Sequence, residues 1–145
     1  MSGSGTRART RFSVLVVDDD DAVLETTAAL IEGSHDVVST TEPTVALDKV
    51  RAMNFHVVLV DWMMPDMNGM EFFRRARRID PEVAFLIMTG RVNDFAGEVA
   101  REDRKIVGVI GKPFTAEQIL DRIEQFGRLA MMKKQVRALK AGDKK

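Results

Sequence analysis

Four short apolar runs along this chain each end on polar residues. Val14-Leu15-Val16-Val17 leads into Asp18-Asp19, Val57-Val58-Leu59-Val60 into Asp61, and Phe85-Leu86-Ile87-Met88 into Thr89. Val107-Gly108-Val109-Ile110-Gly111 then delivers Lys112-Pro113-Phe114. Short runs rich in β-branched residues and bounded by polar ones read as strands buried on both faces. With a weaker run at 35–40, they predict strands over 12–17, 35–40, 57–60, 83–88 and 106–110.

Between the strands the apolar spacing becomes helical. Asp20 or Asp21 is placed to cap a helix through Ile31, which Gly33 stops. Thr41 is the expected cap of a second helix, with Pro43 in its first turn. A basic helix is predicted over 70–78 and ends at Asp80-Pro81. The polar segment 91–105 reads as a helix of weak apolar period. Thr115, with Glu117 or Gln118 nearby, opens the last helix in a near capping box. Strands alternating with helices imply an α/β fold of the flavodoxin-like kind: a doubly wound, five-stranded parallel sheet with helices on both faces. The last helix is unusually long. Beyond Gly127, the residues Leu129, Met132, Val136 and Leu139 continue at 3-4-3 spacing. This extension reads equally as a partner-facing helix or as a solvated tail.

Composition narrows the class. The chain has 145 residues, 45% of them hydrophobic and 30% charged, enough for one domain with a sizeable core. It divides into a leader over 1–11, expected to be flexible, a domain over 12–127, and a helical extension or linker stub with a basic tail over 128–145. A formal net charge of zero gives no global electrostatic case for nucleic acid or an anionic membrane. No apolar stretch approaches the roughly 20 residues that span a bilayer, and the first ten residues contain no secretory h-region. The absence of cysteine excludes disulfides and thiolate chemistry. A cytoplasmic location is the expectation.

The strand ends suggest the chemistry. Ligands of an open parallel sheet bind beyond the carboxyl edge of its strands, where three carboxylates, a hydroxyl and an ammonium would meet. Asp18, Asp19 and Asp61 would repel there, each close pair by about 1–4 kcal/mol. A hard cation such as magnesium relieves that cost and takes oxygen ligands. Zinc is disfavoured, because His35 and His56 belong to no ligand cluster. Asp61 can act as a nucleophile that forms an aspartyl phosphate, with Lys112 and Thr89 available for the phosphoryl oxygens. Taken singly, each position has a bland reading as a helix cap, a turn or a solvated charge; taken together they do not.

The segments Leu15-Val16-Val17-Asp18-Asp19-Asp20, Asp61-Trp62-Met63-Met64-Pro65-Asp66-Met67-Asn68-Gly69, Met88-Thr89-Gly90 and Lys112-Pro113-Phe114 resemble the receiver domain of bacterial two-component response regulators. The match runs from about Phe12 to Phe126 in the family's order and spacing. The resemblance implies that Asp61 is the phosphoacceptor and that Asp18 and Asp19 hold Mg2+ with Asp61 and the backbone carbonyl of Met63. It also implies that Thr89 is the switch hydroxyl and Lys112 the phosphate-contacting lysine. The donor would be a sensor histidine kinase or a phosphotransfer protein. The chain would catalyse only its own phosphorylation and dephosphorylation, as a signalling switch and not an enzyme with a separate substrate. A homodimer or an output partner is compatible with this; direct nucleic-acid or membrane contact is not expected.

Departures from the family pattern set further expectations. Val109 stands where the family often has an aromatic residue that swings inward on phosphorylation, so switching would rest on Thr89 and the loop after it. The common Gly-Ala step before the fifth strand is replaced by Arg101-Glu102-Asp103-Arg104-Lys105. Met63 and Arg91 occupy the positions that tune water access, and Met63 cannot orient water by a strong hydrogen bond; slow self-dephosphorylation follows. Phe72 and Phe73 are not expected to face the core together. Arg74, Arg75, Arg77 and Arg78 read as a solvated face, and Met63, Met64, Met67 and Met70 as loop packing or an adaptable contact surface. One rival is a pseudo-receiver that signals through protein contacts without phosphate. A haloacid-dehalogenase-like phosphatase would need a second aspartate at position 63, which is Met63.

Overall fold

In a computed structural model, which describes residues 10–90 and 107–143, five parallel strands form one sheet in the order β2-β1-β3-β4-β5. The strands are β1 (Ser13–Val17), β2 (Asp36–Thr40), β3 (Val57–Asp61), β4 (Ala84–Thr89) and β5 (Val107–Gly111). Every residue of β3 and β4 is buried, which is why those segments read as unbroken apolar runs and not as alternating ones. The described helices are α1 (Asp21–Glu32), α2 (Pro43–Ala52), α3 (Gly69–Ile79) and α4 (Ala116–Asp143). The helix predicted over 91–105, with Arg91 and the 101–105 departure, lies outside the described residues, as does most of the leader.

The two faces of the sheet carry separate cores. Leu15, Val17, Val58, Val60, Phe85 and Ile87 point toward α2 and α3, which contribute Leu47, Val50, Phe72 and Phe73. Val14, Val16, Leu59, Leu86 and Met88 point the other way, toward Leu24 and Ile31 of α1 and Ile119, Ile123 and Phe126 of α4. This alternation along each strand produces the doubly wound arrangement. Close docking of α4 depends on two glycines. A Cβ on Gly108 would meet the Phe126 ring at 2.7 Å, and one on Gly127 would meet the Phe12 ring at 2.7 Å.

Local signals mostly held. Asp20 caps α1 by accepting from the amides of Ala22 and Val23, and Thr115 and Gln118 form the reciprocal capping box. Thr41 does not cap α2. The N-cap is Glu42, without a side-chain hydrogen bond, and Pro43 removes one of the amide donors a cap would serve. Phe72 and Phe73 are both fully buried. Gly69, Phe72, Phe73 and Ala76 are spaced 3-1-3 and share one helix face, so adjacency in sequence does not separate the two rings. Phe73 packs edge-on to Phe85 at 4.8 Å, and Arg77 lies over its outer face, 5.7 Å from the ring centroid, so this arginine is only half solvated. Met64, Met67 and Met70 pack inside, whereas Met63 is 70% exposed.

Both histidines hold the start of β1. His35 accepts the Phe12 amide at Nδ1 (3.1 Å) and His56 accepts the Ser13 amide at Nδ1 (3.0 Å). Burial lowers both rings below the ordinary histidine value, helped by Arg11 at His35 and by Lys134 at His56. Protonation would turn each acceptor into a donor facing another donor. The unfolded chain therefore binds more protons than the folded one below about pH 6.5. The stability tied to these neutral rings is fully present above that value and is lost as pH falls through the lower folded values. Urea midpoints are expected to drop between about pH 7 and pH 5, and the drop should shrink in a His35→Gln/His56→Gln variant, which keeps an acceptor but cannot titrate. An equal drop in that variant would assign the acid sensitivity elsewhere.

Candidate functional site

The carboxyl edge of the sheet brings the predicted residues together. Asp18 directly follows β1, Asp61 ends β3, Thr89 ends β4 and Lys112 directly follows β5. The register makes them neighbours: Val17 lies beside Val60, Asp61 beside Met88, and Thr89 beside Gly111. Backbone hydrogen bonds fix the rim, with the Trp62 amide donating to the Met88 carbonyl (2.9 Å) and the Lys112 amide to the Thr89 carbonyl (2.8 Å). Asp18, Asp61 and Thr89 are buried and Asp19 is exposed. The Lys112–Pro113 peptide bond is cis.

Lys112 is the electrostatic centre of the cluster. Its Nζ donates to Asp18 Oδ2 and to Asp61 Oδ1, both at 2.9 Å, across separations of 94 and 51 residues. Asp18 also accepts the Asp20 amide at Oδ1 (3.0 Å), which orients its carboxylate. Burial pushes the Asp61 carboxyl above its ordinary value. The Lys112 hydrogen bond opposes that shift, and the neighbouring Asp18 charge adds to it. Burial by itself would lower the Lys112 ammonium, but its hydrogen bonds to Asp61 and Asp18 outweigh this and hold it above the usual lysine value. The result is a largely buried carboxylate beside a fixed positive charge.

Carboxylate oxygens of Asp18, Asp19 and Asp61 lie within 4.8 Å of one another. Three hard oxygen donors in that space, with one ammonium among three negative charges, fit a divalent cation of the magnesium type. The exposed Asp19 leaves one side open to water and to an incoming ligand. Met63 is on the loop after β3, with its side chain turned out to solvent.

Sequence reasoning missed the part played by Gly69. A Cβ there would lie 3.0 Å from the Asp61 carbonyl oxygen and 3.2 Å from the Trp62 Cα, both unyielding backbone. The Gly69 amide donates to the Trp62 carbonyl (3.0 Å), and Asn68 caps α3 by accepting the Glu71 amide (2.9 Å). The helix start is thereby strapped against the end of β3. The closeness of Gly69 to Asp61 exists only in the folded loop.

A family model described as the response regulator receiver domain matches residues 14–124. A response regulator receiver protein of Anaeromyxobacter sp. strain Fw109-5 is 36% identical over 108 residues, covering 74% of this chain and 45% of that protein. The response regulator receiver protein CpdR of Brucella abortus is 29% identical, over 77% of this chain and 92% of CpdR. Among solved structures, the chemotaxis protein CheY4 of Vibrio cholerae superposes with a TM-score of 0.73 at 23% identity, covering 81% of this chain and 99% of that one. A receiver domain protein from Clostridium thermocellum gives 0.70 at 23% identity, over 86% and 98%. The chain thus spans less than half the length of the Anaeromyxobacter relative and nearly all of CpdR. Among the described residues no helix is long and apolar enough to cross a membrane.

Proposed function

The chain belongs to the response regulator receiver domain family of two-component systems, and from that premise we propose that it accepts a phosphoryl group on Asp61 from a phosphohistidine of a sensor kinase or phosphotransfer protein. The observation that carries this reading is the Lys112 bridge between Asp18 and Asp61 inside a three-carboxylate cluster. In the reaction, an Asp61 oxygen forms a P–O bond as the P–N bond of the donor breaks. The imidazole leaves with that electron pair and takes up a proton. Lys112 lies where the transferred oxygens arrive and gives them a charge-assisted hydrogen bond. Thr89 supplies a hydroxyl from the neighbouring strand end. Asp18, Asp19, Asp61 and the Met63 carbonyl are the proposed Mg2+ ligands; bound there, the ion neutralises charge on the phosphoryl oxygens. Val109, half-buried against the α2/α3 core, has no ring to move, so the bound phosphoryl group is read through Thr89. Met63 presents no strong hydrogen-bonding group to water, consistent with slow hydrolysis of the aspartyl phosphate. The domain proper is residues 12–127, and its setting is the cytoplasm.

The donor's approach is indicated by an apolar groove of about 440 Å3 next to Lys112, between α1 and the start of α4. Val23, Leu30, Pro113 and Phe114 line it. Val23→Glu should slow transfer from a phosphorylated kinase about tenfold or more while leaving uptake from acetyl phosphate unchanged, since only the first needs a docked protein. Intact-mass analysis after acetyl phosphate and Mg2+ should show one added phosphoryl group, located on Asp61 by peptide mapping. An unmodified chain, with the buried Trp62 fluorescence unmoved by beryllofluoride, would sink the reading and leave an interaction-only module.

A further inference from the structure

We propose that the outer face of the α4 extension is a docking surface for an acidic amphipathic helix of a partner protein. The extension is pinned to the body and does not trail from it. Lys134 Nζ donates to Asn54 Oδ1 and Asp80 Oδ2, both at 2.7 Å, with the Lys134 and Asp80 side chains largely buried. One turn on, Arg137 Nη1 donates to Glu82 Oε1 at 2.9 Å. These two contacts set the roll of the helix. With positions 134 and 137 turned to the body, the stripe of Leu129, Met132, Val136 and Leu139 starts at Leu129, which packs partly against the α1/α4 core, and then turns away. Its last three members are 61%, 50% and 69% exposed.

The geometry and charge of this face choose the occupant. Between the stripe and the Pro81–Glu82 turn lies a groove of about 820 Å3, and 3-4-3 apolar spacing is the signature of helix-on-helix packing. Lys133, Lys140 and the Arg137–Glu82 pair border the groove, so its rim is net basic. The whole chain is neutral, yet its last 18 positions hold seven of its 22 basic residues and one of its 22 acidic ones, with Arg128, Lys134 and Arg137 of these ion-paired to Glu124, Asp80 and Glu82. A second copy would bring the same basic flanks together and meet like-charge repulsion. A bilayer is flat and favours aromatic anchors, whereas this face is concave and has none. A helix with leucines in the seam and glutamates beside it satisfies both the groove and its rim.

The probe is a fluorescent helical peptide of about three heptads with Leu at the seam and Glu on both flanks, titrated with the full chain by anisotropy. Saturable binding is expected, weakened about tenfold or more in Val136→Gln/Leu139→Gln and again in Lys133→Glu/Lys140→Glu. The same peptide with Lys replacing Glu should bind correspondingly less. Both variants alter residues remote from the strand-end site, Lys133 half-buried and the other three exposed, so unchanged acetyl phosphate uptake shows that they are folded and reads the phosphoacceptor role separately. Absence of saturation by about 1 mM overturns the proposal, as does equal affinity for the Lys peptide. Self-association in sedimentation that Val136→Gln/Leu139→Gln abolishes would assign the face to a second copy, and binding to phosphatidylserine vesicles would assign it to a membrane; either replaces the acidic helix.

Discussion

Replacing Lys112 by methionine is expected to destabilise the protein by about 3–5 kcal/mol in the absence of divalent cations, the cost of leaving buried charge without its partner. The ammonium neutralises two carboxylates at once, at 2.9 Å each, and both are largely buried. Methionine keeps the volume and the apolar stem but leaves Asp18 and Asp61 facing each other uncompensated. At about 2–4 °C per kcal/mol for a chain of this size, the melting temperature should fall by roughly 10 °C. Two rescues separate charge from packing. Asp61→Asn in the same chain removes one of the two stranded charges and should restore most of the loss, and excess magnesium should narrow the gap to wild type. Thermal melts of the four proteins of this cycle, with and without chelator, measure the coupling. A Lys112→Met loss that neither Asp61→Asn nor magnesium reduces would show that the side chain acts by packing alone.

Asp61→Asn is expected to move function and stability in opposite directions. Uptake of a phosphoryl group should be lost entirely, because an amide oxygen is no nucleophile toward phosphorus. Stability without divalent cations should rise. The folded protein holds the Asp61 carboxyl above its ordinary value, with burial as the largest cause, so ionising it costs more in the fold than in the unfolded chain. A carboxyl shifted this way contributes stability that is fully present below the unfolded value near pH 4 and lost as pH rises through the folded value. At neutral pH the wild type has lost that contribution, whereas the uncharged amide never carries the cost and still offers Lys112 an acceptor. The variant should therefore melt higher near pH 7, and the advantage should vanish as pH falls through the folded value. A melt at neutral pH below that of wild type would show that the lost ion pair with Lys112 outweighs the relieved desolvation.

Much of this site was legible because strand-end chemistry is local. An apolar run that stops at a polar residue places that residue at the sheet edge without any knowledge of the neighbouring strand, and four runs did so. Helix starts were legible for the same reason, as at Asp20 and at Thr115 with Gln118, where the capping groups lie within three residues of each other. Reading failed where two local signals competed. Thr41 looked like a cap, but Pro43 had already removed one donor from the first turn. Phe72 and Phe73 looked incompatible because they are adjacent, although both belong to a face that starts at Gly69 and continues to Ala76.

By itself, then, the sequence determined the order of the described elements, the parallel sheet and the identity of the strand-end residues, since each depends on side-chain period and on neighbours a few residues away. Only the tertiary structure decided that Lys112 bridges Asp18 and Asp61, that Gly69 abuts the Asp61 carbonyl, and that Lys134 ties the last helix to Asn54 and Asp80. Those pairings join residues as many as 94 positions apart. They exist only once the sheet has set its strand order and register, because no local preference of the chain encodes which distant partner a side chain will meet.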